Sequence, residues 1–306
     1  MTDNLRIGII GFDTSHVPAF TRLMNDANDP FHVAGGRVVA GYPSYSPDLE
    51  ASHSRVKGFI ADVAEPYGVE IVDSVEALVE KVDAVLLESV DGRRHLAEVR
   101  AVLAAKKPVY IDKPLAASYA EAAEIARLAA DQGCPVFSSS SLRFDANIRA
   151  VKEDPDLGQV IACDAFSPAR LDPTNPGLFW YGIHGLEILY TFMGPGCTSV
   201  RAHASDKYDV VVGAWPEGRL ATLRGIRAGN LGYGASVFTD KQVAQVQYSK
   251  QVPMYAMLLQ RIIPFFQGGP APVPMEETLE MMAFIEAALV SERDRREVPL
   301  EEARGA

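Results

Sequence analysis

The chain has no apolar run approaching the roughly 20 residues of a membrane-spanning helix, so a helical membrane protein is not expected. Cysteine is scarce. Cys134, Cys163 and Cys197 stand far apart, without CxxC or any other metal-ligand spacing, which predicts a reduced, cytoplasmic protein with no metal site. Positive charge is in deficit: 29 Lys and Arg face 40 Asp and Glu, for a formal charge of −11. Nucleic acid and anionic membrane are therefore unexpected partners. The basic and apolar regions of a signal peptide are missing ahead of the first apolar run. What remains is an ordinary globular composition, 48% hydrophobic and 23% charged over 306 residues, with room for two cores. It suits an enzyme acting on small molecules.

From residue 5 to about 115, short apolar runs (RIGII, RVVAGY, EIV, DAVLLES, PVYID) alternate with helical stretches. That alternation predicts βαβ units and a doubly wound parallel sheet, a Rossmann-type domain over residues 1–116. Next, Ser118 and Glu121 form an S-x-x-E capping box for a helix that Gly133 closes, and PVFSSS reads as a sixth strand. Beyond it, strand-like runs follow one another with few helices, which predicts an α+β domain over residues 117–306 on a largely antiparallel open sheet. One helix is expected near Tyr181–Met193 and two more near the end, which could pack back on the first domain.

The first strand runs into "GFDTSH", where a dinucleotide-binding turn would read Gly-x-Gly-x-x-Gly. Gly11 is present; Asp13 and His16 replace the other two glycines. A carboxylate there would repel a pyrophosphate by roughly 1 kcal/mol in water and about 4 in a half-buried site at ~4 Å. Asp13 could instead cap the helix through the N–H groups of Ser15 and His16. A polar pair of Asp13 with His16 is a further option; metal ligation lacks a visible third ligand. The second strand ends in Tyr42, Pro43 and Ser44, where an acid commonly holds the ribose of NAD, and no arginine adjoins them to hold the phosphate of NADP.

At Asp112-Lys113-Pro114 the chain resembles the Gfo/Idh/MocA oxidoreductases, whose signature there is Glu-Lys-Pro. The histidine-then-helix approach at His95, "SSLRF", "YGIHGLEILYTFMG" and the closing "PAPVPMEETLEMMAFIEAALVSE" are also similar, so the resemblance spans nearly the whole chain. It implies a nicotinamide cofactor, NAD or NADP, held by Gly11, Phe12, Asp13, Thr14, Ser15, Tyr42, Ser89, His95, Asp112, Lys113 and Pro114. It implies Lys113 and His184 as catalytic residues, with Arg143, Trp180, Tyr181 and His184 toward a polyhydroxylated substrate. The family's Asp-x-Gly-x-His stands here as Trp180-Tyr181-Gly182-Ile183-His184, and Glu187, three residues on, is a replacement carboxylate on the same helical side.

Two functions follow. The first is an NAD(P)-dependent oxidoreductase moving hydride at a sugar, polyol or cyclitol hydroxyl. The second is a repurposed relative, binding a small molecule or using Lys113 and His184 for proton transfer or elimination. An open second sheet also predicts a homodimer or homotetramer, with VVVGAW and ATLRGI at the interface.

Overall fold

The alternating runs become six short strands: β1 (Leu5–Ile10), β2 (Gly36–Tyr42), β3 (Glu70–Ile71), β4 (Ala84–Leu87), β5 (Val109–Asp112) and β6 (Val136–Ser139). A computed structural model describing residues 4–305 orders them β3-β2-β1-β4-β5-β6 in one parallel sheet. Ile7, Ile9 and Ile10 of β1 and every residue of β4 are buried. Such strands read as unbroken apolar runs because both faces of a parallel sheet are covered. The early helices are α1 (His16–Asn25), α2 (Glu50–His53), α3 (Val56–Tyr67), α4 (Val75–Val79) and α5 (His95–Ala104). Later come α6 (Tyr119–Gln132), α7 (Ala146–Lys152), α8 (Ile183–Met193), α9 (Met254–Phe266), α10 (Met275–Asp294) and α11 (Leu300–Arg304). Strand order reverses between β1 and β4, and the carboxyl ends there are where α/β sheets bind ligands.

The first of two units runs to Ala116 and takes in Ala123–Ser138 and Tyr255–Met275. The second holds Ala117–Ala122, Ser139–Met254 and the chain from Glu276. A single boundary at residue 116 is therefore too simple. Strand β6 extends the sheet beyond β5, and Phe265 of α9 meets Phe137 of β6 edge-on, ring centroids 4.8 Å apart, so both join the first unit. Helix α6 starts as expected, its Ser118 hydroxyl accepting from the Glu121 N–H at 3.2 Å. Gly133 ends it with φ of +59°.

The second unit is built on a seven-stranded sheet: β7 (Val160–Pro168), β8 (Ser199–Ala204), β9 (Tyr208–Ala214), β10 (Leu220–Ile226), β11 (Gly234–Thr239), β12 (Val243–Gln247) and β13 (Val298–Pro299). Its order is β12-β11-β7-β10-β9-β8-β13, with β7 and β10 parallel and the other neighbours antiparallel. Helix α8 packs on β7 and β10 and is buried almost all round. Gly185 permits the approach, since a Cβ there would lie 2.6 Å from a Leu223 methyl. The alternate residues of these strands include exposed Leu220, Phe238 and Val243 beside Asp164 and Arg224. No helix among the described residues is long and apolar enough to cross a membrane.

Candidate active site

The turn after β1 keeps the geometry its single glycine allows. Gly11 has φ of +87°, and a Cβ there would lie 2.3 Å from the backbone N of Ser89, so the β1 and β4 ends can close together only over glycine. Phe12 is fully buried, its ring lying against Gly41 of β2. Its N–H donates to the Ser44 carbonyl at 3.1 Å, as that of Gly11 does to Tyr42. Asp13 does not cap α1. Its carboxylate is buried and accepts from the Ser52 hydroxyl at 2.6 Å and the Val90 N–H at 2.9 Å. Burial pushes its pKa up, against those two donors. Thr14 offers its hydroxyl to the His16 N–H at 3.4 Å, and Ser15 is exposed.

His16 does not pair with Asp13. Its Nδ1 lies 2.8 Å from Glu88 Oε2 and 3.5 Å from Asp112 Oδ2. The ring stacks on Phe20 and meets Tyr255 edge-on. Burial works against a charge on this ring, but Asp112, Tyr255 and Glu88 together prevail and push its pKa up to about 10. Glu88 is raised by burial, opposed mainly by His16. Two carboxylates against one imidazole favour the imidazolium, which opposes the rise in Glu88. Glu88 is fully buried, and its Oε1 has no hydrogen-bond partner among the described residues. The third potential metal ligand that the sequence left invisible is thus present: His16, Glu88 and Asp112 offer atoms within 4.8 Å of one another.

Lys113 completes this cluster, its Nζ 3.0 Å from Asp112 Oδ2 at the carboxyl end of β5. His95 braces the loops on either side. Its Nε2 lies 2.7 Å from the Ser89 carbonyl and its Nδ1 3.0 Å from that of Pro114. The Ser89 hydroxyl donates to Glu98 at 2.6 Å.

The acid missing after β2 is supplied from elsewhere. Glu98 of α5 accepts from Ser44, and Arg94 lies 2.8 Å from the same hydroxyl, so an arginine does stand there despite none adjoining in sequence. Three further bonds tie the segment after β2 to its neighbours: Ser46 to Asp91 at 2.6 Å, Asp48 to Arg93 at 2.9 Å, and Ser52 to Asp13. Helix α1 has no side-chain cap and no acid in its first turn, so its N-terminal dipole is available to a phosphate. These residues fit the pyrophosphate of a dinucleotide. The ribose end is the poorer match, because its hydroxyls already have protein partners.

In the second unit, His184 opens α8 with Nδ1 2.8 Å from the Ser140 hydroxyl and edge-on contacts to Tyr181 and Tyr233. Glu187 spends its carboxylate on the Ser140 N–H at 2.9 Å and Arg143 at 2.6 Å. Arg143 is buried between Glu187 and Glu277, an ion pair inside this unit rather than a solvent-facing hook for an anion. Trp180 and Tyr181 are half-buried, with Arg170 over the Tyr181 ring at 6.0 Å. Tyr233, Ser52 and Glu98 carried no signal in sequence, and Ser140 only its place at the head of SSLRF. Glu88 carried one: an acid directly after the buried run AVLL.

Residues 5–140 match the Gfo/Idh/MocA model, described as an oxidoreductase family with an NAD-binding Rossmann fold. An inositol 2-dehydrogenase of Cereibacter sphaeroides is 30% identical over 57% of this chain and 48% of its own length. Inositol 2-dehydrogenase 2 of Mycolicibacterium vanbaalenii is 32% identical over 51% and 41%. The match thus spans less than half of these curated relatives. A putative myo-inositol dehydrogenase structure from Sinorhizobium meliloti superposes with a TM-score of 0.78 at 17% identity, over 97% of this chain and 100% of that one. Scyllo-inositol dehydrogenase from Lactobacillus casei, solved with NAD(H) and scyllo-inositol, gives 0.77 at 15%, over 98% and 100%. At these identities the structures speak for the fold alone. Residues 5–140 thus match the model of the Gfo/Idh/MocA oxidoreductase family, and both units share the fold of these structures.

Proposed function

We propose that this protein is an NAD(P)-dependent dehydrogenase acting on a hydroxyl of a polyol or cyclitol. One observation carries the reading: Lys113, largely buried and paired with Asp112, ends β5 inside the segment that matches the family. An ammonium held there polarises a substrate oxygen as its charge changes. His184, oriented by Ser140, takes the hydroxyl proton. The bound nicotinamide supplies the hydride acceptor. Gly11, the first turn of α1 and Ser89 hold the phosphates, and the Ser44–Arg94–Glu98 group meets the adenosine ribose.

Fluorescence titration with NADH and NADPH, followed by assays with inositol isomers, tests this. Saturable binding below about millimolar and turnover with one isomer are expected. Absence of binding for both cofactors overturns the reading. The protein is further proposed to be cytoplasmic and to pair with a second copy through the sheet face bearing Leu220, Phe238 and Val243. Light scattering of Leu220→Glu/Val243→Glu checks this, with a fall to monomer mass expected.

A further inference from the structure

The loops that follow β1, β2 and β4 are stitched together by side chains. Strand β1 lies between β2 and β4 in the sheet, so a bond joining the loops after β2 and β4 crosses the carboxyl end of β1. Residues 45–54 make such crossings. The Ser46 hydroxyl donates to Asp91 at 2.6 Å, and Asp48 accepts from Arg93 at 2.9 Å. The Ser52 hydroxyl donates to Asp13 at 2.6 Å, and Asp13 takes a second bond from the Val90 N–H. One carboxylate in the phosphate turn thus fastens both neighbouring loops. Ser46, Ser52, Asp13 and Asp91 are all buried.

Apart from these side chains, little holds the segment down. Its base is fixed, since Tyr42 and Ser44 accept from the N–H groups of Gly11 and Phe12. From Tyr45 to Ser54, however, the backbone–backbone hydrogen bonds among the described residues stay within the segment or reach only Arg55. Leu49 is the only apolar side chain it buries, while Tyr45, Pro47 and Ala51 are exposed. Side-chain hydrogen bonds exchange with water at modest net cost. A few of them and one leucine make a catch that can open while the sheet stays intact.

We propose that residues 45–54 form a strap across the dinucleotide groove, hinged at Ser44 and Arg55, which lifts to admit the adenosine half of the cofactor. In this fold the adenosine ribose is met at the end of β2, where the strap begins. The glycine of an ordinary turn has no side chain with which to hold such a strap; Asp13 has one. The inference rests on the nicotinamide dinucleotide proposed above as cofactor.

Stopped-flow fluorescence on the whole protein decides it. The observed rate of NADH binding should climb with concentration and then level off at a ceiling set by strap opening. Reduced nicotinamide mononucleotide lacks the adenosine half and should bind without that ceiling. Ser52→Ala removes the hydroxyl that serves both Asp13 and the Ser46 N–H, and should raise the NADH ceiling about tenfold. Its mononucleotide rate should stay at the wild-type value, which a general loosening of the fold would not allow. Ser46→Ala, which frees the strap from Asp91, should act in the same direction. If Ser52→Ala does not fold, Ser46→Ala and the wild-type comparison of the two ligands decide. A rate linear in NADH up to millimolar, with one slope in all the proteins, would make the segment a fixed rim. That result overturns the strap and leaves the cofactor reading in place. A ceiling shared by both ligands would put the slow step elsewhere and overturn it as well. Absence of binding by both ligands would take down the cofactor reading and the strap together.

Discussion

Each unit buries a cluster of carboxylates and cations, and the two are wired differently. In the first, Glu88 faces an imidazole and leaves one oxygen unpaired. In the second, Glu187 faces a guanidinium, and its two oxygens are taken by Arg143 and the Ser140 N–H. Burial raises the pKa of both acids, and the nearest cation opposes it in each. The cations differ in kind. Arginine does not give up its proton in the accessible range, whereas histidine does. The cation of the cluster at Lys113 that faces Glu88 can therefore lose its charge with pH, while that of the Arg143 cluster cannot. A site that handles protons needs the first kind of wiring; a framework that orients Ser140, and through it His184, is better served by the second.

The largest effect tests the framework. Arg143→Met leaves buried Glu187 and half-buried Glu277 without their shared cation, and urea unfolding should show a loss of about 3–5 kcal/mol. A loss under about 1 kcal/mol would mean that water reaches these acids and the contrast fails. Lys113→Ala should act on the chemistry, removing about two to four decades of turnover. Near-normal turnover would take Lys113 out of the chemistry.

The pH dependence separates the clusters next. His16 is raised from 6.5 to about 10 in the folded chain, so the fold binds its proton more tightly than the unfolded chain does. The stability this confers is complete below pH 6.5 and drains away as pH climbs through about 10. Wild type should lose a few kcal/mol across that window, and His16→Gln should flatten the curve there. Glu88, also raised in the folded state, acts in the same sense in a lower window, its contribution being present below its ordinary value and lost as pH rises above it. A slope left intact in His16→Gln would move the titrating group elsewhere.

The parallel sheet was legible because RIGII and DAVLLES hold the unbroken apolar runs IGII and AVLL, and the second sheet because β8 to β12 follow one another without an intervening α-helix. Lys113 was legible as a short motif. Its surroundings were not. Glu98 reaches Ser44 over 54 positions of chain and Glu88 reaches His16 over 72, and no periodicity records a contact between loops so far apart. Asp13 misled for a related reason. Local chemistry favours an acid as a helix cap, but Ser52 and Val90, 39 and 77 residues away, offered it better donors. Local rules place a residue on its element; partners brought in by the fold decide what its side chain does.

The smallest effect concerns Asp13 itself. Its carboxylate follows the one glycine of the turn by two positions and lies close to where α1 offers its dipole to phosphate. Asn at this position can still accept the Val90 N–H and can donate its amide hydrogens to the Ser52 hydroxyl, so the loop is held while the charge goes. NADH affinity should then improve up to about tenfold, near 1.4 kcal/mol, which is what one partly screened unit charge contributes at several ångströms. The gain should shrink as pH falls, because burial raises the Asp13 pKa and the wild-type carboxyl then neutralises itself. Unchanged affinity across pH would mean that the Ser52 and Val90 donors already mask this charge from a bound phosphate. Weaker binding would mean that the carboxylate itself orders the turn for its ligand.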